Sequence, residues 1–143
     1  DISQEVLTKA RHGQYGANSF RVTDDYFLQK YFNPCVEDEG KWKIDDRVKQ
    51  LVSISHLNLF DSRRVALLGQ VDLIFCRNVI IYFDLDSKRK VIANLHDRLV
   101  SGGFLLLGHS ESLMNISTDF QLRHFINDMV YQRPVPTTGG EHG

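Results

Sequence analysis

The stretch from Val71 to Leu113, VDLIFCRNVIIYFDLDSKRKVIANLHDRLVSGGFLLLGHSESL, constrains the fold more than any other. An apolar run, Leu73 to Cys76, stops abruptly at Arg77 and Asn78. Asp84 or Asp86 can cap a following helix, on which Val91, Ile92, Leu95 and Leu99 fall at helical spacing. Ser101-Gly102-Gly103 is expected to end that helix. A second apolar run, Phe104 to Leu107, comes next. The order is strand, helix, strand, and both runs are too continuous for strands with one wet face. They predict a parallel sheet covered on both sides. Ligands of such sheets sit beyond the carboxyl ends of the strands. That places Arg77 and Asn78 on one strand, and His109 to Ser112 on the other, where chemistry is expected.

The rest of the chain reads less uniformly. Ser3 can cap a helix from Gln4 to His12, with Val6, Leu7 and Ala10 on its apolar face and Gly13 at its end. From Gln14 to Ile54 aromatic and turn residues dominate. Asn33-Pro34 breaks the chain after a short helical stretch, and Lys41 to Ile44 and Leu51 to Ser55 alternate enough to predict strands. Leu57 and Leu59 flank Asn58 near an expected strand end. Asp61 to Gln70 connects to the strand Val71 to Cys76. Phe120 to Phe125 and Met129 to Gln132 read as a β-hairpin around Asn127-Asp128. The segment from Pro134 to Gly143 is small and polar, and is expected to be disordered.

Bulk properties exclude several functions. With 143 residues, 42% hydrophobic, the chain is one domain or part of one. A net charge of −1 without a basic stripe gives no reason to expect nucleic acid. Every apolar run is far below the ~20 residues needed to span a membrane. The six histidines are scattered with none paired at i, i+4, so no metal site is expected. Cys35 and Cys76 lack metal-type spacing and fit a reduced, cytoplasmic setting.

The string FCRNVIIYFD followed by SGGFLLLGHSESL resembles the C-terminal catalytic domain of the chemotaxis receptor methyltransferases (CheR). EVLTKAR after Asp1-Ile2-Ser3, YFLQKYF from Tyr26, Leu57-Asn58-Leu59 and the closing MVYQRP match in kind and order. These enzymes use S-adenosylmethionine to methylate glutamate side chains of chemoreceptors, releasing S-adenosylhomocysteine. The resemblance implies an α/β, Rossmann-like methyltransferase fold with a mostly parallel sheet and a C-terminal β-hairpin. It implies a partial methyltransferase domain over residues 1–14 and 56–133, an inserted antiparallel β-subdomain over 15–55 and a tail over 134–143. A complete member begins with a basic helical domain and a Gly-rich loop that approaches the cofactor, and neither is in this sequence. The first, central strand of the sheet is then expected to be absent. A second chain or a swapped partner is expected to fill the gap, or the sheet to be rearranged, and the chain alone is expected to bind cofactor weakly or not at all.

The same resemblance assigns roles. Asp1 would accept both ribose hydroxyls, since a carboxylate offers two acceptor oxygens; read by itself it is a helix-start residue. Asn58 and Leu59 would face the adenine, although an Asn before a turn is commonly a turn residue. Asn78 would bind the amino-acid end of the cofactor. Arg77 would pair with a carboxylate or shape the pocket, with a structural salt bridge as the competing reading. Tyr82 would lie near the transferred methyl as the catalytic residue; the alternative is a core tyrosine with its hydroxyl at the rim. Gly108-His109-Ser110-Glu111-Ser112 resembles a nucleophile elbow, but Ser112 replaces the final Gly and too little chain follows for a hydrolase order of acid and histidine. The loop Asn33 to Gly40 holds one Gly and three successive acids, Glu37 to Glu39. Such a loop is expected to repel, not clasp, an acidic receptor peptide added to the sheet edge. A non-catalytic methyltransferase-like module that binds cofactor or a partner in signalling remains the alternative to an enzyme.

Overall fold

The computed structural model describes residues 1–36, 38–126 and 128–136. Glu37, Asn127 and residues 137–143 lie outside the described residues, and with them part of the acidic loop, half of the expected hairpin turn and most of the expected tail. The chain divides into two compact units, residues 1–57 and 58–143.

The first unit begins with α1 (Gln4–His12). The Ser3 hydroxyl accepts the Val6 N–H, and Gly13 ends the helix in the left-handed region. Leu7 is its buried residue. A three-stranded antiparallel sheet follows, built from β1 (Gln14–Gly16), β2 (Phe32–Pro34) and β3 (Lys41–Ile44), with β3 in the centre. The rings of Tyr15, Phe20, Phe32 and Trp42 meet edge to face. Two helices, α2 (Asp25–Tyr31) and α3 (Asp46–Lys49), complete it. Asn33-Pro34 ends α2 as expected but lies within β2. The expected strand Leu51 to Ser55 does not form. Both edges of β3 are already taken by β1 and β2, so this stretch has no partner beside β3, and Leu51 and Val52 remain exposed.

The second unit is mixed α/β. The connection from Asp61 contains a helix, α4 (Ser62–Ala66), capped by the Asp61 carboxylate. Then come β4 (Val71–Cys76), a single 3₁₀ turn at Ile80–Tyr82, α5 (Leu85–Arg98) and β5 (Leu99–Leu107). Last come β6 (Gln121–His124) and β7 (Met129–Gln132). The sheet order is β4-β5-β7-β6. β4 and β5 are parallel, and β7 is antiparallel to both of its neighbours. Asp84 caps α5 by accepting the Ser87 N–H. Val91, Ile92 and Leu95 of this helix join Cys76, Ile80, Leu99, Leu105 and Leu113 in the core.

Two details of the strand-helix-strand unit depart from expectation. The helix ends at Arg98, and Leu99 is already extended at the start of β5. Ser101-Gly102-Gly103 therefore lies inside a strand, at an irregularity where the register jumps from Val71↔Leu99 to Leu73↔Phe104. A Cβ on residue 103 would stand 2.9 Å from the carbonyl oxygen of Asp72, so the bulge needs glycine there. The sheet is also not covered on both sides along β4. Leu73 is 47% and Phe75 65% exposed, whereas Cys76 is buried. β4 has a single hydrogen-bonded neighbour among the described residues.

Candidate functional site

The register of the parallel pair builds the site. Cys76, the last residue of β4, lies opposite Leu107, the last residue of β5. The chain leaving each strand therefore meets the other at once, as Arg77-Asn78 beside Gly108-His109. Of these, Arg77, Gly108 and His109 line a cleft of about 710 Å³ together with Phe75, Phe125, Met129 and Tyr131.

One carboxylate ties the two loops. Glu111, the buried acid among the described residues, accepts N–H groups from Asn78 at 2.7 Å, Val79 at 2.9 Å, Ile81 at 3.3 Å and Gly108 at 2.7 Å. Burial pushes its carboxyl upward, but the donors from Gly108, Asn78, Val79 and Ile81 together outweigh burial and hold it below the usual carboxylate range. Burial pushes the neighbouring Cys76 thiol up to about 11, with a smaller contribution from the Glu111 charge. Asn78 is held at φ +58°, the left-handed region that asparagine tolerates. Gly108 has no room for a side chain between Asn78 and Glu111. On the far side, Tyr131 of β7 uses its hydroxyl to accept the Leu113 N–H at 3.1 Å and to meet the Ser112 hydroxyl at 3.3 Å.

The structure sorts the expected site residues as follows. Arg77 is exposed on the wall of the cleft and forms no ion pair among the described residues. A structural salt bridge therefore does not account for it. Asn78 adjoins Arg77, with its backbone clamped and its side chain exposed. Tyr82 is 80% exposed at the end of the 3₁₀ turn, and so is no core tyrosine. In Asn58 the side-chain oxygen accepts the Phe60 N–H at 3.0 Å, which makes an Asx turn and leaves the amide nitrogen without a protein acceptor among the described residues. Leu59 packs against the core, and its carbonyl accepts from the Asn94 side chain at 2.9 Å. Asp1 belongs to the first unit. There one of its carboxylate oxygens accepts the Ser3 N–H at 2.8 Å at the start of α1.

Sequence reasoning placed Glu111 within the His109–Ser112 stretch where chemistry is expected, but gave no individual role to Glu111, Gly108 or Tyr131. The only signal was an acid placed just beyond a buried strand, inside a string that resembled a nucleophile elbow. The Ser110 hydroxyl forms no hydrogen bond to a histidine or an acid among the described residues, so the elbow shows no nucleophile–base pair there. Among the described residues no group of three His, Cys, Asp or Glu side chains could hold a metal ion, and no helix is long and apolar enough to cross a membrane.

The family model described as CheR methyltransferase, SAM binding domain, matches residues 1–127. A chemotaxis protein methyltransferase of Vibrio anguillarum is 45% identical over 139 residues, covering 92% of this chain and 47% of its own length. Chemotaxis protein methyltransferase 2 of Vibrio cholerae is 37% identical over 134 residues, covering 94% of this chain and 46% of its own. Chemotaxis protein methyltransferase 1 of Pseudomonas aeruginosa is 35% identical over 133 residues, covering 92% and 47%. The chain thus spans about half the length of the curated relatives it matches.

Proposed function

The chain belongs to the family of the CheR methyltransferase SAM-binding domain, and from that premise we propose that it forms part of a cytoplasmic enzyme that methylates glutamate side chains of chemoreceptors. The observation that carries this reading is the convergence of Arg77, Asn78, Gly108 and Glu111 at paired strand ends beside an open cleft. Ligands of α/β sheets bind at such ends.

The residues present fit the cofactor's chemistry. The Arg77 guanidinium, unpaired among the described residues, suits a carboxylate such as that of an amino-acid moiety. Asn78 adds an exposed amide beside it. Asp1 keeps one carboxylate oxygen clear of its turn for a ribose hydroxyl, and the free amide nitrogen of Asn58 can donate to an adenine ring nitrogen. When bound, S-adenosylmethionine supplies a methyl group made electrophilic by its sulfonium.

No residue of the chain has to generate the nucleophile. A glutamate carboxylate has an ordinary pKa of about 4.3 and is an anion at neutral pH. The tasks left to the protein are alignment and exclusion of water. Tyr82 is the residue we assign to orienting the reacting groups, without taking a proton.

The reading keeps residues 1–14 and 56–133 as methyltransferase domain and 15–55 as an inserted β-subdomain. It also includes a further strand along the free edge of β4, from a second chain, a swapped partner or another part of the protein. The exposed Leu73 and Phe75, and an apolar groove of about 300 Å³ along β4, support such a strand.

The test is methyl transfer from labelled S-adenosylmethionine to a receptor cytoplasmic fragment by the full-length gene product. Base-labile label on receptor glutamates is expected. Binding of S-adenosylhomocysteine with no transfer to any receptor would instead favour the non-catalytic module.

A further inference from the structure

Glu111 is the one buried acidic side chain among the described residues, and it pairs with no cation among them. Its hydrogen bonds go instead to backbone groups of its own loop and of the loop beyond β4, whose nearest donor, Ile81, lies 30 positions away in sequence. Three donors, Asn78, Val79 and Ile81, belong to the loop that carries Arg77, Asn78 and Tyr82. The fourth, Gly108, leaves the neighbouring strand. A carboxylate that accepts several backbone N–H groups fixes their mutual orientation. Here the same contacts hold Asn78 at φ +58°, a conformation that a free loop seldom adopts.

We propose that Glu111 is a positioning residue that presets the Arg77–Tyr82 loop in its binding geometry before the cofactor arrives. This rests on the preceding reading that the loop contacts the cofactor. Preorganisation removes an ordering cost from binding, so the effect falls on affinity as well as on stability. An acid that served stability alone would alter the melting temperature and leave the affinity of the folded protein untouched.

Two measurements on the full-length protein test it. Hydrogen exchange without cofactor should show the amides of Asn78, Val79, Ile81 and Gly108 already protected. Calorimetry with S-adenosylhomocysteine should show Glu111→Gln raising Kd about ten-fold, the equivalent of one charge-assisted hydrogen bond. If Glu111→Gln does not fold, Glu111→Asp is measured in its place, since it keeps the charge but is one methylene too short to span both loops. Amides that become protected only when S-adenosylhomocysteine binds, or a folded variant with the wild-type Kd, would overturn the inference alone. A wild-type protein that binds no S-adenosylhomocysteine would overturn the functional reading, and this inference with it.

Discussion

Gly108 and Asn78 stand so close that a Cβ on residue 108 would lie 2.3 Å from the Asn78 side-chain oxygen. The same Cβ would lie 2.8 Å from a Glu111 carboxylate oxygen and 3.1 Å from the Asn78 backbone nitrogen. Gly108→Ala must therefore displace Asn78, Glu111 or both. Overpacking of this kind costs about 1–3 kcal/mol, which chemical denaturation measures. Because the displaced groups belong to the site, cofactor affinity should fall as well. A variant with wild-type stability and affinity would show that the two loops yield without consequence.

The Glu111 carboxyl sits lower in the folded chain than in an unfolded one. A group depressed on folding contributes stability that is fully present above its unfolded pKa of about 4.3 and is lost as pH falls through the lower folded value. Glu111→Gln keeps the shape, loses the charge and does not titrate. At pH 7 it should be less stable than wild type by about 1–3 kcal/mol, and the difference should shrink below about pH 4. Denaturation midpoints of both proteins from pH 7 to pH 3 check this. A constant gap across that range would mean that the carboxylate charge is not what the loops respond to.

The parts of the fold that sequence reading located rest on local signals. Ser3 and Gly13 bracket α1, and alternation in Lys-Trp-Lys-Ile marks β3; both run over the residues expected. The errors come from non-local facts. Leu51 to Ser55 alternates well enough, but a strand also needs a free neighbour, and β3 has none to offer. Gly102 and Gly103 look like a helix stop. Gly103 is in fact required by the approach of Asp72 from another strand, which no local pattern encodes. Arg77 and Asn78 were legible as site residues because they end an apolar run. Glu111 lay in the other stretch expected to carry chemistry, but its part as a clamp was not legible, because that part exists only once β4 and β5 are in register.

Burial and the Glu111 charge make the Cys76 thiol a weak acid, with a pKa of about 11, so little thiolate exists near neutral pH. Cys35 is partly exposed. Iodoacetamide at pH 8 should label Cys35 in the native protein and Cys76 only in denaturant, as read by mass spectrometry of the peptides. Equal labelling of both under native conditions would contradict the burial of the β4 end.

Tyr82 is exposed and its hydroxyl forms no hydrogen bond among the described residues, so removing that hydroxyl costs the fold nothing that the structure reveals. In the full-length protein Tyr82→Phe should lower kcat on the order of ten-fold and leave the KM for S-adenosylmethionine little changed, the pattern of a group that acts at transfer. Unchanged turnover would remove Tyr82 from the mechanism.

The central claim is that the loop beyond β4 holds the cofactor, and binding of S-adenosylhomocysteine to the full-length protein tests it most directly. Calorimetric titration of wild type, Arg77→Ala, Asn78→Ala and, as a control in α1, Lys9→Ala gives the answer. Each loop variant is predicted to bind about ten-fold or more weakly, the loss of one charge-assisted or well-placed hydrogen bond, while Lys9→Ala binds as wild type does. Wild-type affinity in both loop variants would contradict the claim.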